Sequence, residues 1–204
     1  MSGERQVTPS TSTALQRALS GGDVTRRPAV LDAFAAARRR FAAGERIDMQ
    51  GLADELGINR VTLYRWVGSR EQLITEVLWS ATQKSFSRYR RAKPEGPRAA
   101  AALTAFVRDV NDHPGMRQLL RDEPDFALSL LTSTSGEYQR RYLRLIRELI
   151  DEDRDAGLIS AEIPLDDLAY TAARITESYI HTRMITGEEP DARRAEAVLR
   201  VLLR

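Results

Sequence analysis

The stretch DMQGLADELGINRVTLYRWVG, residues 48–68, decides the fold. Asp48 suits a helix N-cap, because a short carboxylate accepts from the free amides of a first helical turn. The helix it opens carries Leu52, Ala53 and Leu56. It stops at Gly57, the residue that best tolerates the left-handed backbone of a helix end. Asn59 then caps a second helix, RVTLYRWV, which Gly68 closes. Two short helices joined by so tight a turn have the layout of a helix-turn-helix. Ala53 is small where the second helix must cross closely, and Ile58 plugs the angle between the two. Leu52, Leu56, Leu63 and Val67 supply the buried faces. Leu63 and Val67 stand one turn apart and fix the inner side of the second helix. Arg60, Thr62, Tyr64 and Arg65 therefore point outward, with Trp66 at the edge. Such a helix fits a DNA major groove about 12 Å wide. There Arg60 can fork onto a guanine, and the Thr62 and Tyr64 hydroxyls suit phosphate oxygens.

Outward from this stretch, Ser69 and Gln72 form the capping box of a longer helix through Leu73, Val77 and Leu78. Arg70, in its first turn, adds a cation to free amides that already favour an anion. On the other side, Pro28 suits a first helical turn, and Val30, Phe34, Ala37 and Phe41 recur at helical spacing before Gly44. Residues 1–25 read as a flexible polar tail, in which ALQRAL (14–19) offers one or two helical turns before Gly21 and Gly22. Arg26 and Arg27 are placed to approach a minor groove in the manner of an N-terminal arm. Arg38, Arg39 and Arg40 read as a solvated helix face. The break KPEGP (93–97) sets the expected boundary between a DNA-binding domain, 26–93, and a regulatory domain, 94–204. Beyond it, helices are expected over 97–111, 115–122, 125–132, 136–156, 165–186 and 191–203. Strand signals are nearly absent. The expected class is all-α.

Composition narrows the chemistry. The 204 residues carry 31 Lys and Arg against 29 Asp and Glu, with two His and no Cys. Disulfides, thiol nucleophiles and Cys-bound zinc are excluded. No nucleophile elbow or phosphate loop is present. Glu177 and His181, four apart, make half a metal site with no second pair at ligand spacing, so no metal, cofactor or enzymatic activity is expected. No apolar run reaches the roughly 18 residues of a membrane span. The N-terminus lacks the order of a signal peptide, so the expected compartment is the cytoplasm. The net charge of +2 is unevenly placed: residues 1–93 hold 16 basic and 9 acidic residues, and residues 94–204 hold 15 and 20. An anionic partner suits the first part only.

The segment LADELGINRVTLYRWVGSREQL (52–73) closely resembles the TetR family of one-component bacterial regulators. The likeness is carried by Leu52-Ala53, Gly57-Ile58, Thr62-Leu63-Tyr64, Val67 and Arg70-Glu71-Gln72-Leu73. It implies that Thr62, Tyr64 and Arg70 hold phosphates of a double-stranded operator, and that Arg60 and Gln50 approach bases. Arg65 and Trp66 complete the DNA-facing set, Trp66 dividing between packing and a backbone contact. Two residues depart from the family pattern. Val61 stands where Gly is commoner and turns a β-branched side chain to the groove. Val67 stands where Phe is commoner. Within the family, the stretch 173–203 resembles regulators of the QsdR type, which implies a lactone or acyl effector.

In this family the C-terminal helices enclose a cavity for a small inducer. Phe106, Phe126, Leu130, Tyr138 and Tyr142 are candidates for its apolar wall, and Arg174, Glu177, Ser178 and His181 for orienting a ligand. The same aromatic and aliphatic residues also suit a plain core. Apolar stripes on the last two helices, Leu168, Ala172, Ile175 and Tyr179 with Val198, Leu199 and Leu202, would be left exposed by a monomer. They suit a homodimer built as a four-helix interface. The leading expectation is a homodimeric repressor released from a palindromic operator by a small apolar effector. A helical small-molecule-binding protein or enzyme, keeping the helix-turn-helix as scaffold, is the alternative.

Overall fold

A computed structural model of the chain describes residues 13–19, 28–91, 96–132 and 137–204. Arg26 and Arg27 lie outside the described residues. Every regular element among the described residues is a helix. The chain divides into two compact units, Met1–Arg38 with Ile47–Ile74, and Arg39–Arg46 with Thr75–Arg204.

The first unit holds α1 (Ala14–Leu19), most of α2 (Pro28–Ala43), α3 (Met49–Glu55), α4 (Arg60–Val67) and the opening of α5 (Arg70–Arg90). Its interior is apolar: Leu15, Val30, Phe34, Leu52, Ala53, Leu63, Val67 and Leu73 are all buried. Each large aliphatic side chain so buried contributes about 1.5–3 kcal/mol. α1 coincides with the helical turns expected over 14–19, and within the tail expected over 1–25 this stretch is packed rather than flexible. Thr13 and Gln16 cap it reciprocally, Gln16 Oε1 accepting from Thr13 N at 2.8 Å and Thr13 Oγ1 from Gln16 N at 3.1 Å. Leu15 is fully buried, and the helix packs on α4.

The boundary between the units falls inside α5 rather than at 93–97. From Thr75 onward its side chains bond into the second unit: Glu76 to Arg141, Thr82 to Tyr138, Phe86 against Phe106 and Tyr142. The end of α2 belongs there too, through Phe41 stacked on His113 at 4.7 Å.

The second unit adds α6 (Arg98–Asp112), α7 (Pro114–Asp122), α8 (Pro124–Thr132), α9 (Glu137–Asp155), α10 (Leu165–Ile180), α11 (Thr182–Thr186) and α12 (Ala192–Leu202). α6, α9, α10 and α12 pack on one another around Leu103, Ile146, Ile150, Leu168, Ala172 and Leu199. The start of α6 has no side-chain cap of its own. Asp153, fully buried on α9, accepts from Ala99 N at 2.7 Å and satisfies one of its amides. The helix expected over 165–186 breaks at His181, whose backbone leaves helical geometry between α10 and α11. Gly115, near the start of α7, allows a close approach to α2: a Cβ there would lie 2.1 Å from the Phe41 carbonyl oxygen.

Candidate nucleic-acid interface and internal cavity

Local capping builds α3, α4 and the start of α5. Asp48 accepts from Gly51 N at 2.7 Å at the start of α3, and Asn59 accepts from Thr62 N at 2.7 Å at the start of α4. Ser69 and Gln72 close the reciprocal box that opens α5. Gly68 turns the chain between α4 and α5 with φ of +77°, and a Cβ there would meet the Gln72 side chain at 2.0 Å. Leu63 and Val67 have no accessible surface and anchor α4.

The outer side of α4 carries Arg60, Val61, Tyr64 and Arg65, all exposed, with Thr62 and Trp66 half-buried. Val61 is 77% exposed, an uncommon exposure for an aliphatic side chain. Arg60 and Tyr64, one turn apart, are already associated: the guanidinium lies 5.7 Å from the ring centroid, and Arg60 Nη2 is 3.5 Å from Tyr64 Oη. Gln50 is exposed on α3 and donates to Asp54 Oδ1 at 2.7 Å. Arg70 is half-buried, and its Nε donates to the Ile47 carbonyl at 2.6 Å. That bond ties the start of α5 to the loop before α3 and aims the guanidinium from a fixed stem.

The second unit encloses a cavity of about 360 Å³. Phe41, Leu78, Phe106, Val110, Met116 and Ile180 make it largely apolar. Tyr138, Tyr142, Glu177, His113 and His181 bring polar groups to its wall, and Ala81, Thr82, Lys84, Ser85, Arg88, Asp109 and Asp112 complete the lining. Of the residues expected from sequence, Phe106, Tyr138, Tyr142, Glu177 and His181 line it and four do not. Phe126 is half-buried elsewhere on α8, and Leu130 is buried on the same helix. Ser178 is exposed on the outer face of α10. Arg174 stands behind the wall, with Nη2 donating to Glu177 Oε1 at 2.8 Å. Sequence reasoning missed Phe41, Leu78, Thr82 and Met116. A signal for α5 was present: Ala81, Thr82 and Ser85 are small residues that recur on one side of a long helix and leave volume beside it.

The polar groups differ in how they are satisfied. Tyr138 Oη and Thr82 Oγ1 bond at 2.9 Å. Glu177 accepts from Gln139 Nε2 at 3.0 Å as well as from Arg174. Burial nevertheless pushes its carboxyl up to about 7, outweighing the Arg174 charge that acts to lower it. Burial lowers His181 and so favours the neutral imidazole. Tyr142 Oη and His181 Nε2 are buried without a hydrogen-bond partner.

Glu177 makes stability depend on pH. Its folded value of about 7 stands above the ordinary 4.5. Between these values the folded chain binds the proton more tightly, so this group's contribution to stability falls as pH rises. Glu177→Gln cannot ionise. Its stability relative to the parent is expected to rise by about 2–3 kcal/mol between pH 5 and pH 8. Urea unfolding of both proteins at the two pH values checks this, and a constant difference would refute it.

The surface apolar residues of the last helices are not those expected throughout. Leu168, Ala172 and Leu199 have no accessible surface and belong to the interior, because they face α6, α9 and α12 or α10 within the same chain. A stripe at helical spacing marks a buried face without saying what buries it. Val198 is 40% exposed, and Ile175, Tyr179 and Leu202 are half-buried. Tyr170, Ile185 and Val201 add exposed apolar surface nearby in the chain.

Residues 96–204 match the family described as "Tetracyclin repressor-like, C-terminal domain". No curated protein matches the chain. Among solved structures, the transcriptional repressor QsdR of R. erythropolis, from the TetR family, is 26% identical with a TM-score of 0.73, covering 86% of this chain and 94% of that one. The TetR family repressor AlkX of Dietzia sp. strain DQ12-45-1b, implicated in biodegradation of n-alkanes, is 23% identical with a TM-score of 0.54, covering 89% and 95%. FadR of Bacillus subtilis, solved with stearoyl-CoA, is 15% identical with a TM-score of 0.50, covering 87% and 98%. The last two are similar in fold alone.

Proposed function

The chain belongs to the TetR family of transcriptional regulators, and on that premise we propose that it is a homodimeric repressor that leaves a near-palindromic operator when a small molecule fills its cavity. The observation that carries this reading is the outer side of α4, where Arg60, Val61, Tyr64 and Arg65 stand exposed on a helix pinned by two fully buried residues. In the groove, Arg60 forks onto a guanine, Val61 suits a thymine methyl, and Thr62, Tyr64 and Arg70 engage phosphates. Gln50 approaches the bases from α3. Arg65 and Trp66 flank the backbone.

Two heads are needed, and the exposed apolar residues of α10 to α12 offer the contact: Ile175, Tyr179, Val198 and Leu202, joined by Tyr170, Ile185 and Val201. A two-fold pair sets its reading helices about 34–36 Å apart, so half-sites should repeat at one helical turn. The cavity takes the effector. α5 carries its wall residues Leu78 to Arg88 and runs on in sequence from the reading helix, so a ligand that favours one position of α5 biases operator affinity. The coupling required is about 1–3 kcal/mol. The repressing sign is supported by the likeness to QsdR.

Capture of genomic fragments by the purified chain is expected to enrich a near-palindrome, and sedimentation of the complex should give two chains per site. Affinity should fall steeply with salt, as counterions released from phosphates demand. No enriched sequence, or a salt-independent affinity, would overturn the reading.

A further inference from the structure

We propose that the cavity takes an uncharged, largely apolar molecule whose head pairs one hydrogen-bond acceptor with one donor, as an amide does, and that Tyr142 and His181 recognise that head. This rests on the effector reading above and narrows it to a chemical class.

Two atoms carry the inference. Tyr142 is 1% exposed and His181 5%, both line the cavity, and Tyr142 Oη and His181 Nε2 have no partner. Buried polar groups are costly to leave unmade, so a cavity holding two of them is shaped for something that completes them. Their chemistry is complementary. Burial keeps the His181 ring neutral, and its Nε2 is buried without a partner. A neutral ring protonated on Nδ1 leaves a lone pair on Nε2, which needs a donor. Tyr142 has a proton to give: burial keeps its phenol un-ionised. Its neighbour Thr176 donates to Ala172 O at 2.8 Å, and Tyr142 Oη lies outside hydrogen-bond geometry with it. Tyr142 thus asks for an acceptor, and His181, with its proton on Nδ1, for a donor.

The charged groups of the wall argue against an ionic head. Glu177 is engaged by Arg174 and Gln139. Asp109 is engaged by Arg88, Ser85 and Tyr89. Lys84 and Asp112 are exposed, where water already solvates them. The wall's basic side chains, Lys84 and Arg88, are exposed, so the wall offers a carboxylate no buried Lys or Arg, and the buried carboxyl is already countered by a guanidinium. Of the other polar wall residues, Thr82 is bonded to Tyr138, and His113, which burial keeps toward the neutral form, accepts from Gly115 N through Nδ1; the rest of the wall is aromatic and aliphatic. The volume of 360 Å³ equals about a dozen waters at roughly 30 Å³ each.

The test compares octanamide, octanoate at pH 8, octylammonium and n-butylbenzene by calorimetric titration of the full chain. Octanamide is expected to bind at least about tenfold more tightly than octanoate or octylammonium. Tyr142→Phe should weaken octanamide about tenfold and leave n-butylbenzene unchanged, which also shows that the cavity is intact. Equal or tighter binding of either ion, octanamide binding unaffected by Tyr142→Phe, or binding of n-butylbenzene without octanamide would each overturn the proposed class while the cavity stays an effector site. If neither neutral probe binds and Ala81→Trp, which fills the cavity, leaves release from DNA by genuine effectors unchanged, the effector reading itself falls, and this proposal with it.

Discussion

The double variant Arg60→Ala, Tyr64→Ala is expected to lose operator affinity by about 2–4 kcal/mol per head, roughly 30- to 1,000-fold, without loss of fold. Both side chains are exposed on α4. Removing them leaves Leu63, Val67 and the Asn59 cap in place. The guanidinium sits over the Tyr64 ring before DNA arrives. The pair is therefore held in one orientation, and less side-chain freedom remains to be lost on binding. The two residues should also fail differently alone. If Arg60 reads a base as proposed, Arg60→Ala should relax specificity at one operator position more than it weakens binding to random duplex. If Tyr64 is a neutral donor to phosphate as proposed, Tyr64→Ala should weaken all sequences alike and leave the salt slope unchanged. Arg65→Ala supplies the contrast: losing one cation per head should flatten the slope of log affinity against log salt by about 1.8 for a dimer. Mobility-shift titrations of the variants on operator and random duplex at several salt concentrations separate these roles. Unchanged affinity in the double variant would remove α4 as the reading helix.

The parts of this site that were legible in sequence are those whose physics is local. Asp48, Asn59 and the Ser69–Gln72 box each satisfy amides within three residues, so their spacing alone marks helix starts. The same signature at Thr13 and Gln16 opens α1, which the sequence reads as one or two helical turns, while the Ser- and Thr-rich composition before it conceals that the turn is capped and packed. Composition averages over a window and hides a single cap. The cavity was half legible for a different reason. Tyr138, Tyr142, Glu177 and His181 lie on long amphipathic helices, but Phe41 and His113 meet only because α2 and α7 approach through Gly115. No local pattern reports that contact. Ser178 and Arg174 were assigned to the pocket from helical spacing, and one step around α10 separates wall from surface. Three positions of the expected dimer stripe misled in the same way. Leu168, Ala172 and Leu199 repeat at helical spacing because neighbouring helices of the same chain cover them.

Arg141→Met is expected to destabilise the second unit by about 3–5 kcal/mol, the larger effect of any single substitution considered. Glu76 is 3% exposed, and its Oε2 accepts from Arg141 Nη1 at 3.0 Å. Arg141 also pairs with Glu137, and its guanidinium lies 5.8 Å from the Trp79 ring centroid. Met retains much of the apolar stem but none of the charge, so the loss isolates a buried carboxylate whose other oxygen, Oε1, already lacks a partner. Uncompensated buried charge, rather than the lost ion pair, dominates the cost. The double variant Glu76→Met, Arg141→Met should therefore recover most of the stability, because two apolar side chains of similar length replace a desolvated pair. Arg141→Lys should fall between, since an ammonium restores charge but not the fork that reaches Glu76 and Glu137 together. Urea unfolding followed through Trp79 emission in a Trp66→Phe background, the Trp79 ring contacting this cluster, reads the second unit. If the double variant were as unstable as Arg141→Met, the cost would lie in packing around Trp79 and not in the stranded charge of Glu76.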